Sequence, residues 1–247
     1  MNNSQELKQQ LQNSVEKLYV VFEKYDLRQN MDYCDCGCIS PEDFGHIFSN
    51  SLRILSSEDL ERYSWKAMST WGDSYDFRHF LPRLFELLAG ETPYPSDPEI
   101  IFGKLTYGDW HAWDQQEQEA VFEYFLILWK LILSHEPQDE YTKTQEFLCA
   151  IGRAVDDVSP YLDIWENSDK TSAYKHLDWF LYYNSDKLPT ELSNAFWESR
   201  VIQMRDVLAW LLSPHLRMLL TANAKSSTHE KKDTILTVIG KLETYSK

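Results

Sequence analysis

Apolar residues over positions 5–25 fall three or four apart, at Leu7, Leu11, Val15, Leu18, Phe22 and Tyr25. That spacing lines one face of a helix and predicts a long first helix. The period breaks over Asp26–Ile39, which reads as a loop. Ser40-Pro41-Glu42 then supplies a hydroxyl cap, a proline suited to a first turn and an acid at the positive end of the helix dipole. A short helix ending near Phe48 is expected. Ser56 with Asp59 resembles a capping box and opens a helix expected to reach Trp71, with Gly72 ending it. Asp73 or Ser74 starts the next, through Ala89, and Pro82 is expected to kink or divide it by removing a backbone donor.

Thr92–Ser96 holds two prolines and reads as a turn. Asp97-Pro98-Glu99 repeats the cap-and-proline start, and Trp113, Asp114 and Glu117 open the most apolar helix, 115–134. The polar stretch His135–Tyr141 contains Pro137 and is the expected seam between halves. Beyond it, helices are predicted over 143–156, 160–167, 170–184, 190–212, 214–223 and 230–245, with no strand-like alternation. The fold class is therefore all-α: about ten or eleven stacked antiparallel helices, as an irregular bundle or short helical-hairpin solenoid without a sheet. The chain is expected to form a single domain, 1–247, which if it divides does so into lobes 1–135 and 136–247. One internal similarity bears on the solenoid option. Trp165-Glu166 before Trp179 is echoed by Trp197-Glu198 before Trp210, a period of about 32, although repeat arrays usually need three copies.

Composition narrows the function classes. Nine Trp, fourteen Tyr and twelve Phe, with 43% hydrophobic residues, supply a sizeable core. A formal net charge of −15 repels phosphate backbones and disfavours general nucleic-acid binding. The longest apolar run, Phe125–Leu133, is interrupted by Lys130 and is too short for a bilayer, which needs about 20 residues. The first residues lack the basic and apolar regions of a signal peptide, so a cytoplasmic location with reduced cysteines is expected.

Candidate chemistry gathers between Cys34 and Arg83. In Cys34-x-Cys36-x-Cys38 alternate residues of an extended loop point the same way, and Gly37 lets the backbone curl. Zinc is the cofactor this suggests, but zinc takes four ligands and its loops usually carry Cys-x₂-Cys pairs. His79 is the favoured fourth ligand, with His46 and Cys149 as alternatives. A redox-active thiol and a plain structural loop are the competing readings. Asp73, Asp76 and His79, spaced by three, form a weaker catalytic candidate with Arg78 and Arg83, against which stands the plain expectation that Asp73 caps a helix. No P-loop, dinucleotide fingerprint, nucleophile elbow or His-Glu-x-x-His is found. Residues 136–169 are strongly acidic, which suits either a solvated face or a surface for a basic partner.

The cysteine loop running into Ser40-Pro41-Glu42-Asp43, the Trp71-Gly72-Asp73 step and Asp76-Phe77-Arg78-His79-Phe80-Leu81-Pro82-Arg83 carry a resemblance. So do Phe102-Gly103-Lys104-Leu105 and Asn194-Ala195-Phe196-Trp197. Over most of its length the chain resembles a family of uncharacterised bacterial cytosolic proteins. The resemblance implies a bacterial source and brings no activity, ligand or catalytic residue. The expected function is a binding or interaction protein, regulatory or immunity-like, that recognises a protein partner through an acidic, aromatic-rich surface. The alternative is a metal-dependent or thiol-based enzyme centred on Cys34, Cys36, Cys38 and His79.

Overall fold

The computed structural model describes residues 3–90, 92–137, 143–168, 170–226 and 231–245. Among them are twelve α-helices and no strand, in keeping with an all-α helical bundle. The bridge-type pairings among the described residues are isolated ones, Tyr33 with Trp71 and Ala67 with Trp71. The chain divides into two compact units, Met1–Leu128 and Trp129–Lys247.

In the first unit, α1 (Asn3–Phe22) buries Leu11, Val15, Leu18 and Phe22, the stripe read from its spacing. It packs on α4 (Ser74–Ala89). Both α2 (Pro41–Phe48) and α3 (Ser57–Lys66) begin in full capping boxes, Ser40 with Asp43 and Ser56 with Asp59. Asp serves at the third position in each, where Glu or Gln is commoner. Contrary to expectation α3 stops at Lys66 rather than Trp71. Lys66 O accepts the N–H groups of Ser69, Thr70 and Trp71, and Met68 sits at φ +61°, so the chain turns back before Gly72. The Lys104 ammonium donates to Trp65 O at 2.9 Å and Ala67 O at 2.8 Å, holding carbonyls at that helix end.

α4 opens on Asp73, whose side chain accepts from the Tyr75 and Asp76 amides, while Asp76 reaches back to the Asp73 amide. It runs unbroken through Pro82, so the proline does not divide it. Pro82 itself is buried there. α5 (Pro98–Tyr107), a 3₁₀ turn at Trp110–Ala112 and the first turns of α6 (Gln115–Ser134) complete the core. Tyr63, Trp71, Phe77, Phe80, Phe85, Phe102, Trp110 and Tyr124 are all at most 1% exposed. Each such burial contributes about 1.5–3 kcal/mol.

The division between units falls within α6, before Trp129, and not at the polar stretch 135–141, of which 138–141 lie outside the described residues. The reason is that α6 is apolar over successive turns. Phe125 stacks on Phe85 and meets Phe102 at a tilt in the first core, and Trp129 meets Trp165 edge-on at 5.5 Å in the second.

The second unit holds α7 (Lys143–Ala154), α8 (Ser159–Glu166), α9 (Lys170–Tyr183), α10 (Val201–Leu211), α11 (Pro214–Ser226) and α12 (Lys232–Tyr245). The helix expected over 190–212 is instead a turn, a 3₁₀ segment at Ala195–Ser199 and α10. Asn194 caps that segment by accepting from Phe196 N at 3.0 Å. The tryptophan echo is not a structural repeat, because Trp165 lies on α8 whereas Trp197 lies in the 3₁₀ segment. Polar ties secure this core. Trp129 Nε1 donates to Tyr161 O at 2.8 Å, and Ser172 donates to Leu133 O and His135 O at 2.7 and 2.8 Å. No helix of the described residues is long and apolar enough to cross a membrane.

Candidate metal centre

The cysteine loop lies between two buried anchors, Met31 and Ile39, at 3% and 6% exposure. Its entry is pinned to the turn after α3: Gly72 N donates to Asp32 O at 2.7 Å and Cys34 N donates to Thr70 O at 2.9 Å. Its exit is held by the Arg62 guanidinium, which donates to Cys38 O, and by the Ser40 capping box. Between these ties Asp35 and Cys36 form a turn. This curl, not the alternation of an extended loop, brings the cysteines together, since four extended residues would hold Cys34 and Cys38 roughly 13 Å apart. The three sulfur atoms lie within 4.8 Å of one another. Gly37 stands at φ +74° in the left-handed region, so the chain curls between Cys36 and Cys38 without a Cβ penalty. Cys36 N donates to Cys34 Sγ at 3.3 Å. Cys36 is exposed, Cys34 and Cys38 are half-buried, and none of the four cysteines of the chain is in a disulfide.

None of the three residues proposed to complete a zinc shell joins this group. His79 lies on α4 with Nδ1 donating to Tyr25 O at 2.6 Å, and its ring meets Phe80 edge-on. Burial lowers its pKa, partly offset by that hydrogen bond, so the ring is neutral near pH 7. His46 faces Asp59 at 3.4 Å. Cys149 is fully buried on α7, in the second unit.

The Asp73, Asp76 and His79 constellation resolves into structural roles. Asp73 and Asp76 both satisfy the first turn of α4 and both pair with Arg28. Burial alone would raise the Asp73 pKa, but Arg28 and the Tyr75 and Asp76 amides outweigh it and hold the carboxyl low. Neither carboxylate is hydrogen-bonded to His79.

Several acids of the 136–169 stretch also have partners. Glu136 pairs with Lys175 and Asp156 with Arg200, Asp157 caps Ser159 N, and Glu166 accepts from Trp210 Nε1. Asp139, Glu140 and Asp169 lie outside the described residues. The tryptophans go mostly inward: Trp71, Trp110, Trp129, Trp165 and Trp197 are fully buried, whereas Trp65 is 46% exposed.

Sequence reasoning missed Arg62 and Thr70, which shape the loop from 24 and 36 residues away. It also missed a buried charge network at the start of α6. Glu117, with its side chain fully buried, accepts from Tyr25 OH at 2.6 Å and pairs with Lys24 at 2.9 Å, and Arg78 donates to that same hydroxyl. No local pattern marks such pairings, since each partner is chosen by tertiary packing.

A convergent trio of thiols on a pinned loop can do one thing well: as thiolates it can hold a soft metal ion. No family model, no curated protein and no solved structure matches the chain.

Proposed function

We propose that the protein is a metal-binding protein whose exposed loop captures a thiophilic metal ion through Cys34, Cys36 and Cys38. The observation that supports this reading is the approach of the three sulfur atoms to within 4.8 Å of one another. An ion with sulfur at about 2.3 Å needs sulfur–sulfur separations of roughly 3.8–4.0 Å, inside that limit. The loop ties are two backbone hydrogen bonds, the Arg62 guanidinium on Cys38 O and apolar anchors, all independent of the ion, which supports a preformed site. The test is elemental mass spectrometry of the chain purified without affinity-tag histidines, alongside a thiol count. About one metal ion per chain is expected, lost in Cys34→Ser, Cys36→Ser and Cys38→Ser. A metal-free chain with all its thiols reactive, even after incubation with excess metal, would overturn the reading. Chelation is expected to strip the ion without unfolding the helices, unlike a structural zinc knuckle.

A second reading, recognition of a protein partner, draws support from one place on the first unit. Trp65 and Tyr107 are 46% and 65% exposed, with Lys104 between them, donating to Trp65 O and lying 5.9 Å from the Tyr107 ring. Exposed aromatics beside a cation suit an interface anchor. A stoichiometric partner lost on Trp65→Ala would support it, and retention of every partner by that variant would remove it.

A further inference from the structure

The same three sulfurs also define what kind of ion belongs there. Resting on the metal-binding reading, we infer that the loop is built for a three-coordinate thiophilic ion, of the class of Cu(I) and As(III), and not for tetrahedral zinc. The argument begins with ligand count. Among the described residues no fourth His, Cys, Asp or Glu joins the trio, although Asp32 and Asp35 flank it in sequence. The two histidines that sequence would recruit are engaged elsewhere, His46 with Asp59 and His79 with Tyr25 O.

The second step is rigidity. A fourth ligand is gained cheaply only if the loop can swing, and this loop is held at Asp32 O, Cys34 N and Cys38 O. Moving it far would forfeit two backbone–backbone hydrogen bonds and the one from the Arg62 guanidinium, and expose Met31 and Ile39. Zinc in this setting would complete its tetrahedron with water, the arrangement of an open site rather than a closed structural one. Cu(I) and As(III) are satisfied by three sulfurs alone, and soft thiolates select such ions.

Charge is the third step. Three thiolates leave a net charge of −2 around Cu(I), −1 around Zn(II) and zero around As(III). In a chain of net charge −15, with Asp32 and Asp35 beside the site in sequence, full neutralisation favours As(III) over both other ions, whereas Cu(I) is preferred to zinc on ligand count alone. With arsenite the step is condensation without redox change. Three As–O bonds break, three As–S bonds form, and the three thiol protons leave with the hydroxides as three waters. With Cu(I) the three thiol protons pass to solvent.

The experiment uses the full reduced chain under anaerobic conditions. Cu(I) is delivered from a chromophoric chelator, arsenite and Zn(II) are added separately, and stoichiometry is read by native mass spectrometry. X-ray absorption then counts the neighbours of each bound ion. Expected are one Cu(I) or one As(III) per chain, each with three sulfur neighbours. Each single Cys→Ser change in the loop is expected to weaken arsenite binding at least tenfold, with helicity unchanged. The count on the wild-type chain stands even if a variant misfolds. Zinc held by four protein ligands, or arsenite binding indifferent to loss of one cysteine, would overturn this inference while leaving metal binding intact. Failure of the wild-type chain to retain any of the three ions would overturn both.

Discussion

Replacing Arg28 by alanine strips a buried carboxylate of its counter-ion, at the base of the cysteine loop. Asp76 is 1% exposed. Its Oδ1 accepts Arg28 Nε at 2.7 Å, and its Oδ2 accepts a second guanidinium N–H and the Asp73 amide at 2.9 Å. In Arg28→Ala only the Asp73 amide remains. Breaking a buried pair from one side costs about 3–5 kcal/mol. Arg28 is itself 37% exposed and water enters the vacated space, which lowers the expected cost to about 2–3 kcal/mol. The loss falls on the first turn of α4 and on Gly72, whose N–H carries the Asp32 end of the loop. Because the chain forms two compact units, a single unfolding curve would mix their transitions, and amide hydrogen exchange is the better assay. Protection over residues 72–80 is expected to fall by about 30- to 150-fold, with residues beyond 129 unchanged. In Arg28→Ala/Asp76→Ala the loss should be less than the sum of the single losses, since no orphaned charge remains. A fall of less than about fivefold in Arg28→Ala would refute the reasoning, because the pair would then carry no net stability.

Three further outcomes follow from particular contacts. In Gly37→Ala the added Cβ meets nothing within 4 Å, but φ +74° costs an L-residue about 1–2 kcal/mol, so metal affinity should drop about fivefold to thirtyfold while the helices keep their thermal stability. Gly152→Ala would place a Cβ 2.6 and 2.7 Å from Trp197 ring atoms, and this overpacking should cost about 1–3 kcal/mol, read as faster exchange in α7 and the 195–199 segment. His176 accepts from Thr144 Oγ1 at 2.6 Å and donates through Nε2 to His135 O at 2.8 Å, and burial lowers its pKa below 6.5. The unfolded chain therefore binds the extra proton first, so the second unit should lose stability as pH falls from about 6.5 through the folded value, and His176→Gln should flatten that slope.

The helices were legible where their cause is local. The box at Ser56, the caps at Ser40 and Asp73 and the stripe of α1 from Leu11 to Phe22 are written in residues three or four apart and appear as read, while the structure adds that Ser40 and Asp73 also close full capping boxes. Errors came where a distant group decides. The end of α3 at Lys66 is set by a turn that Met68 enters at φ +61°, with Lys104 on its carbonyls, and no glycine announces it. The 190–212 stretch has helical composition, yet Asn194 and Arg200 break it. Arg200 donates to Gly152 O at 2.9 Å and to Val155 O, which draws the chain out of helix where α10 begins.

The same division between local and distant causes governs the metal centre. The approach of Cys34, Cys36 and Cys38 is a property of five consecutive residues: the chain turns at Asp35–Cys36 and Gly37 takes a left-handed φ of +74°, so the sulfurs converge where an extended segment would hold them apart. A fourth ligand at His46, His79 or Cys149 depends instead on where whole helices pack, and each of those residues is claimed by its own surroundings. His79 is fixed by the Tyr25 carbonyl, in the turn that follows α1, and His46 faces the capping acid of α3. Spacing alone therefore favours a four-ligand site only by analogy with zinc loops, whereas packing leaves three. A site encoded by one short loop needs no precise placement of distant helices, and what it gives up is the fourth bond. That trade suits an ion content with three sulfurs and is poor for one that demands four.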